Sequence, residues 1–116
     1  MITVSSEQLD ALRSPRVDKF CAKLVHRQRA RHSEKCKPYS DEELATKLRD
    51  EMLYADDNGF TAKSVLERYA DLSLAVGFGF GKSEPWATEI IRSSGEEHGK
   101  MNQLERAAVF VIRERE

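Results

Sequence analysis

The chain has 116 residues, 40% hydrophobic and 34% charged, with three prolines, six glycines and a formal net charge of −1. That length suits one domain with a single core, and that balance reads as an ordered, helix-rich, soluble chain and excludes a disordered one. A near-neutral charge provides no global field for nucleic acid or an anionic membrane, and no apolar run approaches the roughly 18 residues of a membrane span.

Taken in order, Ser5 is placed as an N-cap, with Gln8 three residues on and Val4 and Leu9 as a hydrophobic staple. A short first helix is expected to end near Ser14, because Pro15 disfavours helical geometry in the residue before it. Pro15 then suits the first turn of a second helix, whose stripe is Val17, Phe20, Cys21, Leu24 and Val25. The far end of that helix is basic, and a break is expected from Ser33 to Tyr39. Ser40 and Glu43 form a capping box, Tyr39 and Leu44 a staple, and Leu44, Leu48, Met52 and Ala55 the inner face of a third helix closed by Asn58-Gly59. Thr61 is the expected cap of a fourth helix lined by Val65, Tyr69, Leu72 and Val76, with Leu66 and Leu74 widening the stripe and Gly77 stopping it. Pro85-Trp86 restart a fifth, short helix carrying Ala87, Ile90 and Ile91. Ser93 to Gly99 reads as a polar loop, and the last helix, from about Lys100, has Met101, Leu104, Ala108, Val109, Phe110 and Ile112 as apolar positions. No segment alternates with period two. The expected fold is all-α, one domain over residues 1–116, a compact bundle of five or six helices.

The stretch Phe78-Gly79-Phe80-Gly81-Lys82-Ser83 invites a phosphate-loop reading. It fails on spacing, because the first glycine of that motif would fall on Val76 and not on Gly77, and a helix precedes it where a strand should. Glycines for a sharp turn, with Phe78 and Phe80 plugging either the core or a partner, account for the stretch better. Cys21, His26, His32 and Cys36 are ligand types without a Cys-x-x-Cys pair, and Cys21 sits on an apolar stripe, so no metal site and no thiol nucleophile is expected. Both thiols read as reduced cysteines of a cytoplasmic protein, and the N-terminus lacks the basic-then-apolar pattern of a signal peptide. Asp56-Asp57-Asn58-Gly59 lacks the alternating ligands of a calcium loop. Asp71, inside the most apolar helix, needs a partner such as Arg68 or a backbone donor, since an unpaired buried carboxylate costs several kcal/mol. From Arg16 to Lys37 there are eight basic and two acidic residues, and from Asp41 to Asp57 seven acidic and two basic. Joined by a short link, two such helices are expected to pack antiparallel with these charges facing.

Glu67-Arg68-Tyr69-Ala70-Asp71-Leu72, a glycine-rich link and Pro85-Trp86-Ala87 together resemble a family of small helical bacterial proteins. Those proteins are encoded beside type VI secretion genes for spike proteins and effectors. The resemblance runs from about Val17 to Ile91 and includes Arg31-His32 with Cys36 and the Asn58-Gly59 turn. It departs from the family pattern at Gly79, Gly81 and Lys82, where acidic residues around a phenylalanine are usual, and at the polar Ser73.

The resemblance implies a genomic neighbourhood more than an activity. With the absence of an assembled catalytic set and the aromatics in a glycine-flanked loop, it leads to the expectation of a non-enzymatic adaptor or chaperone in the bacterial cytoplasm that binds a secreted effector or spike component, without cofactor or metal. Expected contacts are the aromatics Phe78, Phe80 and Trp86 as anchors, with Arg27 and Arg31 steering an acidic partner. Whether the two phenylalanines point inward or outward is left open, as is the oligomeric state. An immunity protein that inhibits a cognate toxin is the first alternative. A small nucleic-acid-binding regulator acting through the basic second helix is the next, although few aromatics interleave the basic run for base stacking.

Overall fold

The structure, a computed structural model, describes residues 6–115, with side chains from residue 18 onward. Among the described residues there are seven helices and no strand: α1 (Ser6–Arg31), α2 (Ser33–Cys36), α3 (Asp41–Asp57), α4 (Lys63–Val76), α5 (Phe80–Ser83), α6 (Pro85–Arg92) and α7 (Glu97–Arg115). The all-α expectation holds. The helix count is higher than expected because two single-turn helices, α2 and α5, occupy stretches read as loops.

The expected break at Pro15 is absent: α1 is continuous through Ser14 and Pro15. A proline inside a helix deletes one backbone hydrogen bond and crowds the preceding turn, a cost that a 26-residue helix packed along α3 overrides. The cap at Ser5 and its staple lie outside the described residues. The capping box at Ser40 forms as expected, with Glu43 N–H donating to Ser40 Oγ at 3.1 Å and Ser40 N–H to Glu43 Oε1 at 3.2 Å. Asn58 is the C-cap of α3, and Gly59 follows with φ 92°, the left-handed geometry that glycine tolerates.

Thr61 is not the cap of α4. The N-cap is Ala62, and the backbone N–H groups of Thr61 and Ala62 donate to Glu97 Oε1, at 3.0 and 2.9 Å. A carboxylate from α7 thus does the work that a local hydroxyl was expected to do. Helix α7 begins at Glu97 and not near Lys100, because Glu96 accepts the N–H of His98 at 3.0 Å and of Gly99 at 2.5 Å.

Paired side chains give the directions of packing. Arg29 meets Asp41 at 2.7 Å and Arg49 meets Asp18 at 3.0 Å, so α1 and α3 run antiparallel with basic against acidic residues. Glu97 reaches Ala62 and Glu105 reaches Arg68, so α4 and α7 run the same way, with α5 and α6 forming the return. The core draws Leu24 from α1, Leu44, Leu48 and Met52 from α3, Val65 and Tyr69 from α4, Phe80 from α5, Ile91 from α6 and Met101 and Leu104 from α7. Cys21 and Cys36 are both free and buried in it. Burial pushes the Cys21 thiol up to about 11, with the Asp18 carboxylate adding to the effect, which makes it inert as a nucleophile.

Candidate interaction surface

Three regions bear on function, and the first is the glycine-rich return. Gly77, with φ 135°, ends α4, and Gly79, with φ 85°, redirects the chain into α5. Between them Phe78 is half-buried, its ring meeting Tyr39 edge-on at 5.6 Å. Phe80 turns the other way and is 1% exposed. Its ring lies 5.0 Å from Tyr69 and 6.1 Å from Trp86, and Tyr69 lies 5.9 Å from Phe60, so four aromatic rings form a chain through the core. Trp86 is half-buried and packs on this core. The three expected anchors therefore separate: Phe80 is buried and holds the segment to the core, whereas Phe78 and Trp86 are both half-buried and pack on it.

The hold on this segment is polar as well. Glu51, 5% exposed, accepts the backbone N–H of Gly79. Burial raises its carboxyl above the usual range, and the hydrogen bond from Gly79 offsets only part of that rise. Ser73, the polar departure within α4, is fully buried, and its hydroxyl donates to the Tyr69 carbonyl at 3.0 Å. Tyr54 Oη and Thr88 Oγ1 both donate to the Gly81 carbonyl, at 3.1 and 2.9 Å. Gly81 itself is required by packing and not by backbone angle. A Cβ there would fall well inside contact distance of Tyr69 Oη and 2.7 Å from Tyr54 Cε1.

Beside this segment lies an open cleft of about 230 Å³, lined by Lys47, Asp50, Glu51, Tyr54, Phe78, Gly79 and Lys82. Lys47 Nζ stands 5.6 Å from the centre of the Phe78 ring and 5.9 Å from that of Tyr39, and Lys82 Nζ 5.0 Å from that of Tyr54. Each ammonium lies within reach of the negative face of a ring, which holds the charge in place at the rim.

The second region is the expected basic face. Arg27 donates to both carboxylate oxygens of Asp71, at 3.1 and 3.3 Å, and meets Glu67 at 3.1 Å. Gln28, fully buried, donates to Asp71 at 3.1 Å; His32 Nε2 lies 3.0 Å from the same carboxylate and Arg31 Nε 3.6 Å. Arg68, the expected partner of Asp71, instead turns to α7 and pairs with Glu105 and Asn102. The expectation that Asp71 is paired holds, with the partners supplied by α1 and its end. Burial alone would raise Asp71, but the hydrogen bonds from Arg27, His32 and Gln28 together outweigh it and hold the carboxyl below its usual range. Arg27 and Arg31 thus face Asp71 and Glu67, and the charge of the cluster is compensated internally. Arg29 is taken up similarly, by Asp41 and by the Cys36 and Tyr39 carbonyls. Of these arginines only Arg31 is mainly exposed.

The third region is the last helix, whose apolar positions do not share one fate. On α7 Met101, Leu104 and Ala108 are buried, but Val109 is 50% and Phe110 66% exposed. The signal was present: residues 107–112 are apolar without interruption, and six consecutive positions span more than a full helical turn.

Among the described residues no group of three or more His, Cys, Asp or Glu side chains is placed to hold a metal ion, and no helix is long and apolar enough to cross a membrane. No family model, no curated protein and no solved structure matches the chain.

Proposed function

We propose that this chain is a non-enzymatic accessory protein, an adaptor or chaperone, that binds a type VI secretion effector or spike component in the bacterial cytoplasm. One observation carries the reading: Phe78, half-buried against Tyr39 and Lys47, lines an open cleft beside Lys82 on a segment that Phe80, Glu51 and Tyr54 tie to the core. Rigid presentation of an aromatic lowers the entropic cost of binding and suits an interface anchor. Lys47 and Lys82 favour an apolar partner segment that carries a carboxylate, a role first expected of Arg27 and Arg31. The sequence pattern from Glu67 to Ala87 supplies the choice of partner class.

For the nucleic-acid alternative, Arg27 and Arg29 are committed to carboxylates and carbonyls within the molecule, which leaves Lys19, Lys23, Arg31, Lys35 and Lys37 as the exposed cations of that stretch among the described residues. Co-expression with type VI secretion spike and effector proteins tests the proposal. One of them should co-purify with the wild type and be lost with Phe78→Ala. A variant that retains the partner in full would overturn the assignment of the site. Growth rescue on expression of the toxin, without any need for this chain in toxin export, would replace the adaptor by an immunity protein.

A further inference from the structure

We infer that α7 mediates a two-fold symmetric dimer of this chain, formed by antiparallel contact of α7 with the α7 of a second copy about Phe110. The inference is independent of the adaptor reading and concerns a different surface. Phe110 and its neighbour Val109 are the exposed large hydrophobics of the molecule's described residues, and they lie on the outer face of a helix whose inner face packs on α4 and α6.

The charges around Phe110 say what covers it. Arg106 and Glu114 are both exposed and stand four residues before and four residues after it. Residues at that spacing lie along one ridge of a helix, about 6 Å apart in rise. When two copies of this ridge meet head to tail with Phe110 on the two-fold axis, each Arg106 faces a Glu114 of the other copy. Val109 then faces Val111, and Arg113 faces Ala107, so no like charges meet. Slipping the register by one residue sets Arg106 against Arg113 of the second copy, and a parallel arrangement sets each arginine against itself. One register is therefore favoured and its competitors are penalised, which is the self-complementarity that an isologous contact requires.

One short helix per copy covers less than a standard interface, so the dimer is expected to be weak, with a Kd on the order of 10–100 μM. Sedimentation equilibrium across that range should show a reversible monomer–dimer equilibrium. Phe110→Asp should weaken it at least tenfold, with the helical circular dichroism unchanged because the ring is exposed. Arg106→Glu alone and Glu114→Arg alone should each weaken it about three- to tenfold. The double variant should return to within about twofold of the wild type. Mixing the two single variants should yield a heterodimer, because both flanking contacts then pair opposite charges.

A chain that stays monomeric to several hundred micromolar would overturn the inference. So would a dimer indifferent to Phe110→Asp, or single charge reversals that neither the double variant nor the mixture restores. Capture of a different protein by this face while the chain itself remains monomeric would also overturn it.

Discussion

Adding one methyl group at Gly81 probes whether the glycine-rich return is held as described. In Gly81→Ala the new Cβ would lie 2.7 Å from the Tyr54 ring and closer still to Tyr69 Oη, in a region where Tyr69 is fully buried. Overpacking of this kind costs about 1–3 kcal/mol, and two stiff aromatic neighbours place the expected cost near the top, about 3 kcal/mol. Tyr69 Oη is buried without a hydrogen-bond partner among the described residues, a situation that costs roughly 1–3 kcal/mol. Tyr69→Phe should therefore stabilise the chain by about 1 kcal/mol while removing the worst contact. The double variant should recover about 1–2 kcal/mol more than the sum of the single changes, since the two sites touch. Urea unfolding followed by circular dichroism and by the fluorescence of Trp86 measures all four proteins. At roughly 4 °C per kcal/mol for a chain of this size, Gly81→Ala should lower Tm by about 10 °C. Gly81→Ala within 0.5 kcal/mol of the wild type, or a double variant showing no coupling, would refute the packing described for α5.

Removing the Asp71 charge with Asp71→Asn should cost about 2–3 kcal/mol, because Arg27 then meets an amide NH2 where it donated to Oδ2, and the Oδ1 that still accepts from Arg27 and Gln28 and faces His32 no longer carries charge. The folded-state carboxyl is held low, so the wild-type advantage should be complete above its ordinary value of about 4 and fade as pH falls through the lowered one. A pH-independent difference between the two proteins would contradict that assignment. Glu51 has the opposite sign. Its folded-state carboxyl is raised, so Glu51→Gln should gain on the wild type as pH climbs from about 4.5 toward 7, measured by Tm against pH. Glu97→Ala should cost roughly 1 kcal/mol through the uncapped N–H groups of Thr61 and Ala62, with faster amide exchange at those two residues as its local signature.

The helical class, the capping box at Ser40, the stop at Asn58-Gly59 and the break at Gly77 were legible because each depends on residues close in sequence. What escaped depends on residues far apart. No local pattern shows that Glu97 caps a helix 35 residues earlier, or that Asp71 meets Arg27 instead of the nearer Arg68. The buried polar groups were partly legible: Glu51 follows Leu48 by three residues and Gln28 follows Leu24 by four, so both fall on apolar stripes where burial and a bonding partner were to be expected. The opposite fates of Phe78 and Phe80 were not readable, because two glycines with positive φ break the periodicity that would tell inside from outside. On α7 the uninterrupted apolar run did not tell which side is covered; the face against α4 and α6 is filled by Met101, Leu104 and Ala108, which leaves Val109 and Phe110 exposed.

The most direct test is calorimetric titration of type VI secretion spike and effector proteins, the partner class proposed above, against the wild type, Phe78→Ala and Lys47→Glu. The account predicts saturable one-site binding of one of them, weakened at least tenfold by Phe78→Ala and measurably by Lys47→Glu, with all three proteins equally helical. Binding that ignores both substitutions, or no binding to any of those proteins, would contradict it.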